Sequence, residues 1–348
     1  MKVAFRLDAN NEIGMGHAVR CSSIAQALME RGCDCMYFCN DNPGIRSFAE
    51  SRGFGFVPVP EVKLPDEQKW MQEELISYDA VLIDSYNVSS VYISSLNRPA
   101  FTVACYDDNA LYKYNCDMLI NGNLHASGLE FKFGNKKPIT LLGGEYTPLR
   151  REFYKQHEPP KIRKEANRVL ICLGGADIRS FTPTVVAAIC EIPNIELTIV
   201  LGAMTTCDAA VKTAAAQAAI PNKNIKIIKA PPSIAEVVRS CDIAITSAGS
   251  MVYELAALGI PSIIIVQADN QKQIANHLDK NGLMRYIGDW NKTDSKQIRH
   301  ETENLLGDAQ RRKRESKALK QAVSRNGAEN VAKKLLETIV RKKGNGDS

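Results

Sequence analysis

A chain of 348 residues with 45% hydrophobic and 24% charged side chains has the balance of a soluble globular protein of about two domains, which sets aside disorder, fibrous repeats and a lone small binding module. Its 44 basic against 39 acidic residues leave a net charge of +5, too small and too concentrated near the C-terminus to mark a nucleic-acid protein, while anionic small molecules stay open as ligands. Ten cysteines without a Cys-x-x-Cys pair, several inside apolar runs (Cys105, Cys172, Cys241), read as free buried thiols of a reducing compartment. The N-terminal apolar stretch carries Arg6 and Asp8 and is no export or transit signal, and no window approaches the roughly 18 apolar residues of a membrane span. The expectation is a cytoplasmic protein with neither membrane nor nucleic acid as partner.

Short apolar runs recur through the first half at 3–7, 35–39, 80–84, 101–106, 118–121 and 139–144. Between the first two, HAVRCSSIAQALMERG sets Ala18, Cys21, Ala25 and Leu28 on one helical face and ends at Gly32, which makes a βαβ unit. The polar segment 146–168, with Pro159 and Pro160, predicts a domain boundary. Beyond it, the runs RVLICL, LTIVLG, IKIIKA, IAIT, SIIIVQ and MRYIG alternate with the helical segments TPTVVAAIC, AAVKTAAAQAA, IAEVVRS, MVYELAAL and QKQIANHLDK. This alternation predicts parallel sheets covered by helices on both faces. After about residue 292 the strands stop. The basic tail spaces Leu305, Leu319, Val323, Val331, Leu335 and Ile339 as docked amphipathic helices rather than as a nucleic-acid arm. The expected organisation is a first domain over 1–147, a linker over 148–167, a second domain over 168–292 and C-terminal helices over 293–348.

Chemistry concentrates at the turns that follow strands. Gly14-Met15-Gly16-His17 follows the first strand and opens a helix, where glycines admit a ligand to the backbone and the helix start attracts a phosphate. It is not a dinucleotide fingerprint, because Val19 stands where the third glycine would be and no acid ends the next strand. At a helix start the dipole disfavours imidazolium and keeps His17 a base near neutral pH, with a capping or packing role as the alternative. In the second half, Ser247, Gly249 and Ser250 open a helix that carries Glu254, placed to accept ribose hydroxyls or to complement the dipole. Gly174 and Gly175 form a third such turn, and Asn270 and Gln271 follow another strand. Such turns gather a ligand at the carboxyl ends of strands. Asp107 and Asp108 are adjacent, so on a strand they point to opposite faces and do not make a metal-binding Asp-x-Asp.

The ordered set R-x-D-x-x-x-x-I-G-x-G-H-x-x-R (Arg6 to Arg20), L-I-D-x-Y (Leu82 to Tyr86), Asp107 with Asp108, Leu119-Ile120-Asn121, Y-x-x-L-R-x-E-F (Tyr146 to Phe153), G-G-A-D, S-A-G-S-x-x-x-E and the late G-A-x-x-V-A at Gly327 resembles the PseG family. These are UDP-2,4-diacetamido-2,4,6-trideoxy-β-L-altropyranose hydrolases of pseudaminic acid biosynthesis, relatives of the MurG-type GT-B glycosyltransferases. The resemblance spans nearly the whole chain. It implies an α/β, GT-B-like fold of two Rossmann-like domains with parallel sheets facing a cleft, followed by a helical tail. It also implies hydrolysis of a UDP-sugar, with water attacking the anomeric carbon, inversion there, and no cofactor or metal. By the same resemblance His17 is the catalytic residue, acting as base on water or as a phosphate contact. Gly14, Gly16, Arg20, Asp84, Tyr86, Asp108, Asn270 and Gln271 would then contact the sugar and diphosphate, with the two aspartates as polar partners. Gly174, Gly175, Ser247, Gly249, Ser250 and Glu254 would hold UDP. The expected partners are the UDP-sugar and, as candidates, enzymes of its pathway. A GT-B glycosyltransferase and a non-catalytic nucleotide-sugar sensor are the competing readings.

Overall fold

The computed structural model describes residues 1–9, 15–110, 112–154, 158–175, 177–217 and 224–344. Two compact units divide the chain: Met1–Arg151 with the segment from Asn326 onward, and Glu152–Arg325. The last helix is therefore built into the first unit, although two earlier tail helices belong to the second.

In the first unit the chain runs β1 (Lys2–Leu7), α1 (Gly16–Met29), β2 (Asp34–Asn40), α2 (Pro43–Glu50), β3 (Gly55–Val59), α3 (Leu64–Glu74), β4 (Ala80–Asp84), α4 (Ser90–Ser95), β5 (Thr102–Tyr106), β6 (Lys113–Tyr114), β7 (Met118–Asn121), β8 (Lys132–Phe133) and β9 (Ile139–Leu142). Among the described residues, seven of these strands form one parallel sheet in the order β3-β2-β1-β4-β5-β7-β9, while β6 and β8 pair separately. A parallel sheet covered on both faces requires strands apolar on both sides, which is why β4, β5 and β7 read as largely apolar runs, and β1 as one broken by the buried Arg6. Ala18, Cys21, Ala25 and Leu28 of α1 are all fully buried, as the helical spacing predicts. β3 escapes the sequence reading. It is an edge strand, and Pro58 within it lacks the amide a central strand would need, which an edge tolerates.

The second unit continues with β10 (Arg168–Cys172), α5 (Thr182–Ile189), β11 (Glu196–Leu201), α6 (Asp208–Gln217), β12 (Asn224–Lys229), α7 (Ile234–Arg239), β13 (Ile243–Thr246), α8 (Met251–Leu258), β14 (Ser262–Val266), α9 (Lys272–Lys280), β15 (Arg285–Asp289), α10 (Ser295–Gly307) and α11 (Ala309–Ala322). Its sheet, among the described residues, is parallel with the order β12-β11-β10-β13-β14-β15. Val169, Ile171, Ile245 and Ile263 of the strands share one core with Val185 and Ile189 of α5 and with Ile298 and Leu305 of α10. The tail thus buries its apolar stripe.

Helix α12 (Gly327–Gly344) belongs to the first unit and packs on α1. Its start explains the late glycine motif: a Cβ on Gly327 would stand 2.0 Å from the Thr147 carbonyl oxygen, a clash with backbone that no rotamer relieves. Val331, Leu335 and Ile339 face inward with no exposure. Lys342 Nζ reaches Asp117 Oδ2 at 2.6 Å, and Lys343 pairs with Asp79. Among the described residues no helix is long and apolar enough to cross a membrane.

One buried carboxylate anchors the second sheet. Asp242, 6% exposed, accepts from the amides of Asn167 (3.1 Å) and Arg168 (3.0 Å) and from Arg168 Nη2 (2.9 Å) and Arg163 Nη1 (3.1 Å). Burial alone would favour its neutral form, but the Arg168 side chain and the two amides outweigh it and lower the pKa. Asp242→Ala should therefore destabilise the unit by about 2 kcal/mol in urea melts at neutral pH. A depressed folded-state pKa contributes stability above the unfolded value of about 3.9, and that contribution is lost as the pH falls through the folded value. The gap between wild type and variant should accordingly narrow below about pH 4. A gap that stayed constant into acid would refute the ionised anchor.

Candidate functional site

The register of β1 on β4 pairs Leu7 with Asp84, so both strands end together where α1 begins. His17 is the second residue of α1, Arg20 stands one turn on, and Met15 provides no side-chain cap for the helix start. His17 Nδ1 lies 2.6 Å from Asp84 Oδ1 and 3.1 Å from the Asp84 carbonyl oxygen. Arg20 grips the same carboxylate with a fork, Nε to Oδ2 at 2.6 Å and Nη2 to Oδ1 at 2.5 Å, and the Cys21 thiol adds a contact to Oδ2 at 3.4 Å. Burial opposes ionisation of Asp84, but the Arg20 charge and hydrogen bond, followed by His17, hold its pKa well below the usual carboxylate range. An ionised oxygen facing Nδ1 requires the ring proton there, which leaves the lone pair on Nε2. This is the arrangement of an oriented base.

The sequence reading sets Asp84 against the sugar as a polar partner. The structure instead gives it no exposure and commits both its oxygens to His17, Arg20 and Cys21. Asp84 lies against His17 Nδ1 because the crossover inserts β1 beside β4.

Around this pair lies a polar rim. Tyr86 is 41% exposed and meets the His17 ring edge-on, with centroids 4.6 Å apart at 81°. Its hydroxyl donates to Asp108 Oδ2 at 3.0 Å. Asp108 also accepts from Arg20 Nη1 (2.5 Å) and, through Oδ1, from Asn123 Nδ2 (2.9 Å). Asp107, in the turn beyond β5, accepts the Asn109 amide at 3.0 Å. Among the described residues no group of three or more His, Cys, Asp or Glu side chains could hold a metal ion. The Arg20 guanidinium lies 4.3 Å over the Tyr106 ring. Tyr106 and Asn123 escape the sequence reading. Their position at or just beyond the carboxyl ends of β5 and β7 is the signal that could have found them. Gly16 is exposed at the start of α1, and Gly14 lies outside the described residues.

In the second unit two turns are sewn together. Gly174 has φ +100°, a conformation that favours glycine, and follows β10 one residue on, after Leu173. Thr246 Oγ1 donates to the Cys172 carbonyl at 2.8 Å, and Ser247 Oγ to that of Leu173 at 3.1 Å. The Ser247 hydroxyl thereby fixes the glycine turn that carries Gly174 and Gly175. Gly249 and Ser250 lead into α8, where Ser250 makes no side-chain capping bond, and Glu254 is buried in the first turn. Asp177 caps α5 through the amides of Phe181 (3.1 Å) and Thr182 (2.9 Å), and the buried Gln267 donates to it at 2.9 Å. Asn270 and Gln271 form a short 3₁₀ turn. Asn270 is exposed, while Gln271 Oε1 accepts the Gln267 amide at 3.0 Å. Beside this turn lies a hollow of about 240 Å³ bordered by Arg179, Gln267, Lys272 and Trp290, which the sequence reading did not include.

Residues 169–335 match the glycosyltransferase family 28 C-terminal domain. An uncharacterised protein of Methanocaldococcus jannaschii is 25% identical over 282 residues, 78% of this chain; the chain spans only 57% of that relative. The UDP-2,4-diacetamido-2,4,6-trideoxy-β-L-altropyranose hydrolase of Campylobacter jejuni is 24% identical over 286 residues, 81% of this chain and 97% of its own. Among solved structures, Acinetobacter baumannii MurG superposes with a TM-score of 0.69 at 15% identity, covering 97% of this chain and all of that one. With its two parallel-sheet α/β units and helical C-terminal region, the chain has a GT-B-like fold, and it is similar over four-fifths of its length to a UDP-sugar hydrolase of the kind its motifs resemble.

Proposed function

We propose that the chain hydrolyses a UDP-linked 2,4-diacetamido-2,4,6-trideoxy sugar in pseudaminic acid biosynthesis, releasing the free sugar and UDP. The observation that carries this reading is the His17 ring held through Nδ1 on the buried Asp84 carboxylate. Water attacks the anomeric carbon while His17 Nε2 takes its proton. The bond from that carbon to the diphosphate oxygen breaks, and its electron pair leaves with UDP, so the configuration inverts. Tyr86, exposed beside the ring, offers the sugar a face and a hydroxyl. In the second unit the amides of Gly174, Gly175 and the start of α8, with Ser250 and Glu254, are assigned to UDP, and Asn270 to the diphosphate or sugar. Helix-terminal amides supply the positive potential the leaving group needs, without a metal. All ten cysteines are buried free thiols, in keeping with a cytoplasmic setting.

Incubation with the UDP-sugar and no acceptor tests the reaction. Free sugar and UDP should appear together, and in ¹⁸O-water the label should enter the sugar hydroxyl and not UDP. Label in UDP would mean attack at phosphorus and would overturn the mechanism. The family 28 match favours a second reading, transfer of the sugar to an acceptor. Turnover that appeared only on adding an acceptor would favour it.

Activity should persist undiminished in excess EDTA. Loss of turnover that Mg²⁺ or Mn²⁺ restored would remove the amide-based account of UDP departure and return the acidic side chains to consideration as ligands.

A further inference from the structure

Arg20 stands where a substrate contact was expected, yet each of its three nitrogens already donates to a carboxylate of the protein. Nε and Nη2 bind Asp84, and Nη1 binds Asp108. Its side chain is 18% exposed, and Nη2 also lies 3.1 Å from His17 Nδ1. We propose that Arg20 is a positioning residue that matches the charge of the Asp84 carboxylate held against His17, and is not a contact for the sugar or the diphosphate. This rests on the hydrolytic role proposed for His17.

The reason is a count of charges around one ring. His17 faces Asp84 from β4, Arg20 from its own helix and Tyr86 from the turn after β4. Asp108 follows through Arg20 and Tyr86, Cys21 shares Asp84, and just beyond β1 Asp8 is paired with Arg6 at 2.9 Å. Without Arg20, the fully buried Asp84 and the partly buried Asp108 would be two anions with no fixed cation between them. The readiest compensation is a second proton on His17, and a protonated imidazole cannot take a proton from water. With the fork in place, Asp84 keeps its hold on Nδ1–H while its charge is matched. Burial opposes the Arg20 charge, but Asp108 and Asp84 together push its pKa well above the ordinary value, so the match holds at any working pH. A lysine retains the charge but not the two-nitrogen grip.

The test follows the His17 ring by ¹⁵N and ¹³C NMR titration without substrate, its signals assigned by their loss in His17→Ala, in wild type, Arg20→Gln and Arg20→Lys. Arg20→Gln should move the His17 titration midpoint upward by about 1 to 3 pH units, and Arg20→Lys by less. In kinetics, the acid limb of kcat against pH should move by the same amount. The rate lost at neutral pH should then return toward wild type in alkaline buffer, while UDP affinity measured by calorimetry stays within about twofold. A merely structural role would lower the rate at every pH without moving the limb. A diphosphate contact would raise KM and weaken UDP binding at every pH. Either result overturns the proposal, as does an unmoved midpoint in whichever of the two variants folds. A midpoint that shifts in a protein that turns over no UDP-sugar would leave the charge balance standing and remove the hydrolase reading. Intact turnover with an unmoved midpoint would do the reverse.

Discussion

His17→Ala is expected to fold, to bind UDP with wild-type affinity and to lose about 10² to 10⁴ in turnover, the size of a positioned base. The competing account is that His17 merely packs. Its ring meets Tyr86 edge-on and fills a nearly closed space, so removal should also cost stability, on the order of 1 to 3 kcal/mol for a lost bond to a charged group. The two accounts separate when turnover is expressed per folded molecule. His17→Asn sharpens the comparison, because its amide can keep an N–H toward Asp84 while offering no basic nitrogen. If the asparagine variant regains the melting temperature yet remains as slow as the alanine variant, packing is excluded as the cause. A rate per folded molecule equal to wild type in either variant would end the assignment of His17 as base, and loss of UDP binding would make it a phosphate contact instead.

What could be read from the sequence followed from how many neighbours an element has. Central strands are covered on both faces, so β4, β10 and β14 show apolar runs. Edge strand β3 has one sheet neighbour and half-buried side chains and shows none. The turn after β10 was legible because the φ of +100° at Gly174 selects glycine. His17 could be placed at a helix start, but its partner Asp84 is 67 residues away and becomes a neighbour only because β4 joins the sheet beside β1. From the sequence, L-I-D at a strand end looked like a carboxylate presented outward to a ligand. Burial, which local pattern does not encode at a strand terminus, reversed that. In the same way the apolar stripe of α12 announced a docked helix, but nothing local in it said that α1 was the surface it would cover.

Asp84→Asn should be the more severe lesion for its size, with turnover reduced by about 10⁴, the loss that follows when a buried carboxylate orienting a catalytic histidine is replaced by its amide. The cause is the tautomer. Arg20 would hold the amide oxygen of the new side chain, which turns its NH₂ toward Nδ1. That nitrogen must then accept, and the ring proton moves to Nε2, where the lone pair is needed. The ¹⁵N shifts of His17 should exchange between the two ring nitrogens, a readout no general loosening of the site would produce. Stability should fall as well, because Arg20 keeps only Asp108 as counter-charge. The sign of that effect with pH is fixed by the depressed folded-state pKa of Asp84. Its contribution is present above the unfolded value of about 3.9 and lost as the pH falls through the folded one, so the difference in stability between wild type and variant should close in acid. At pH 7, therefore, kcat, the ¹⁵N pattern and the melting temperature should all change together. A variant that loses only stability, with the His17 tautomer and its turnover per folded molecule unchanged, would show that Asp84 serves the fold alone and that His17 works, if it works, without it.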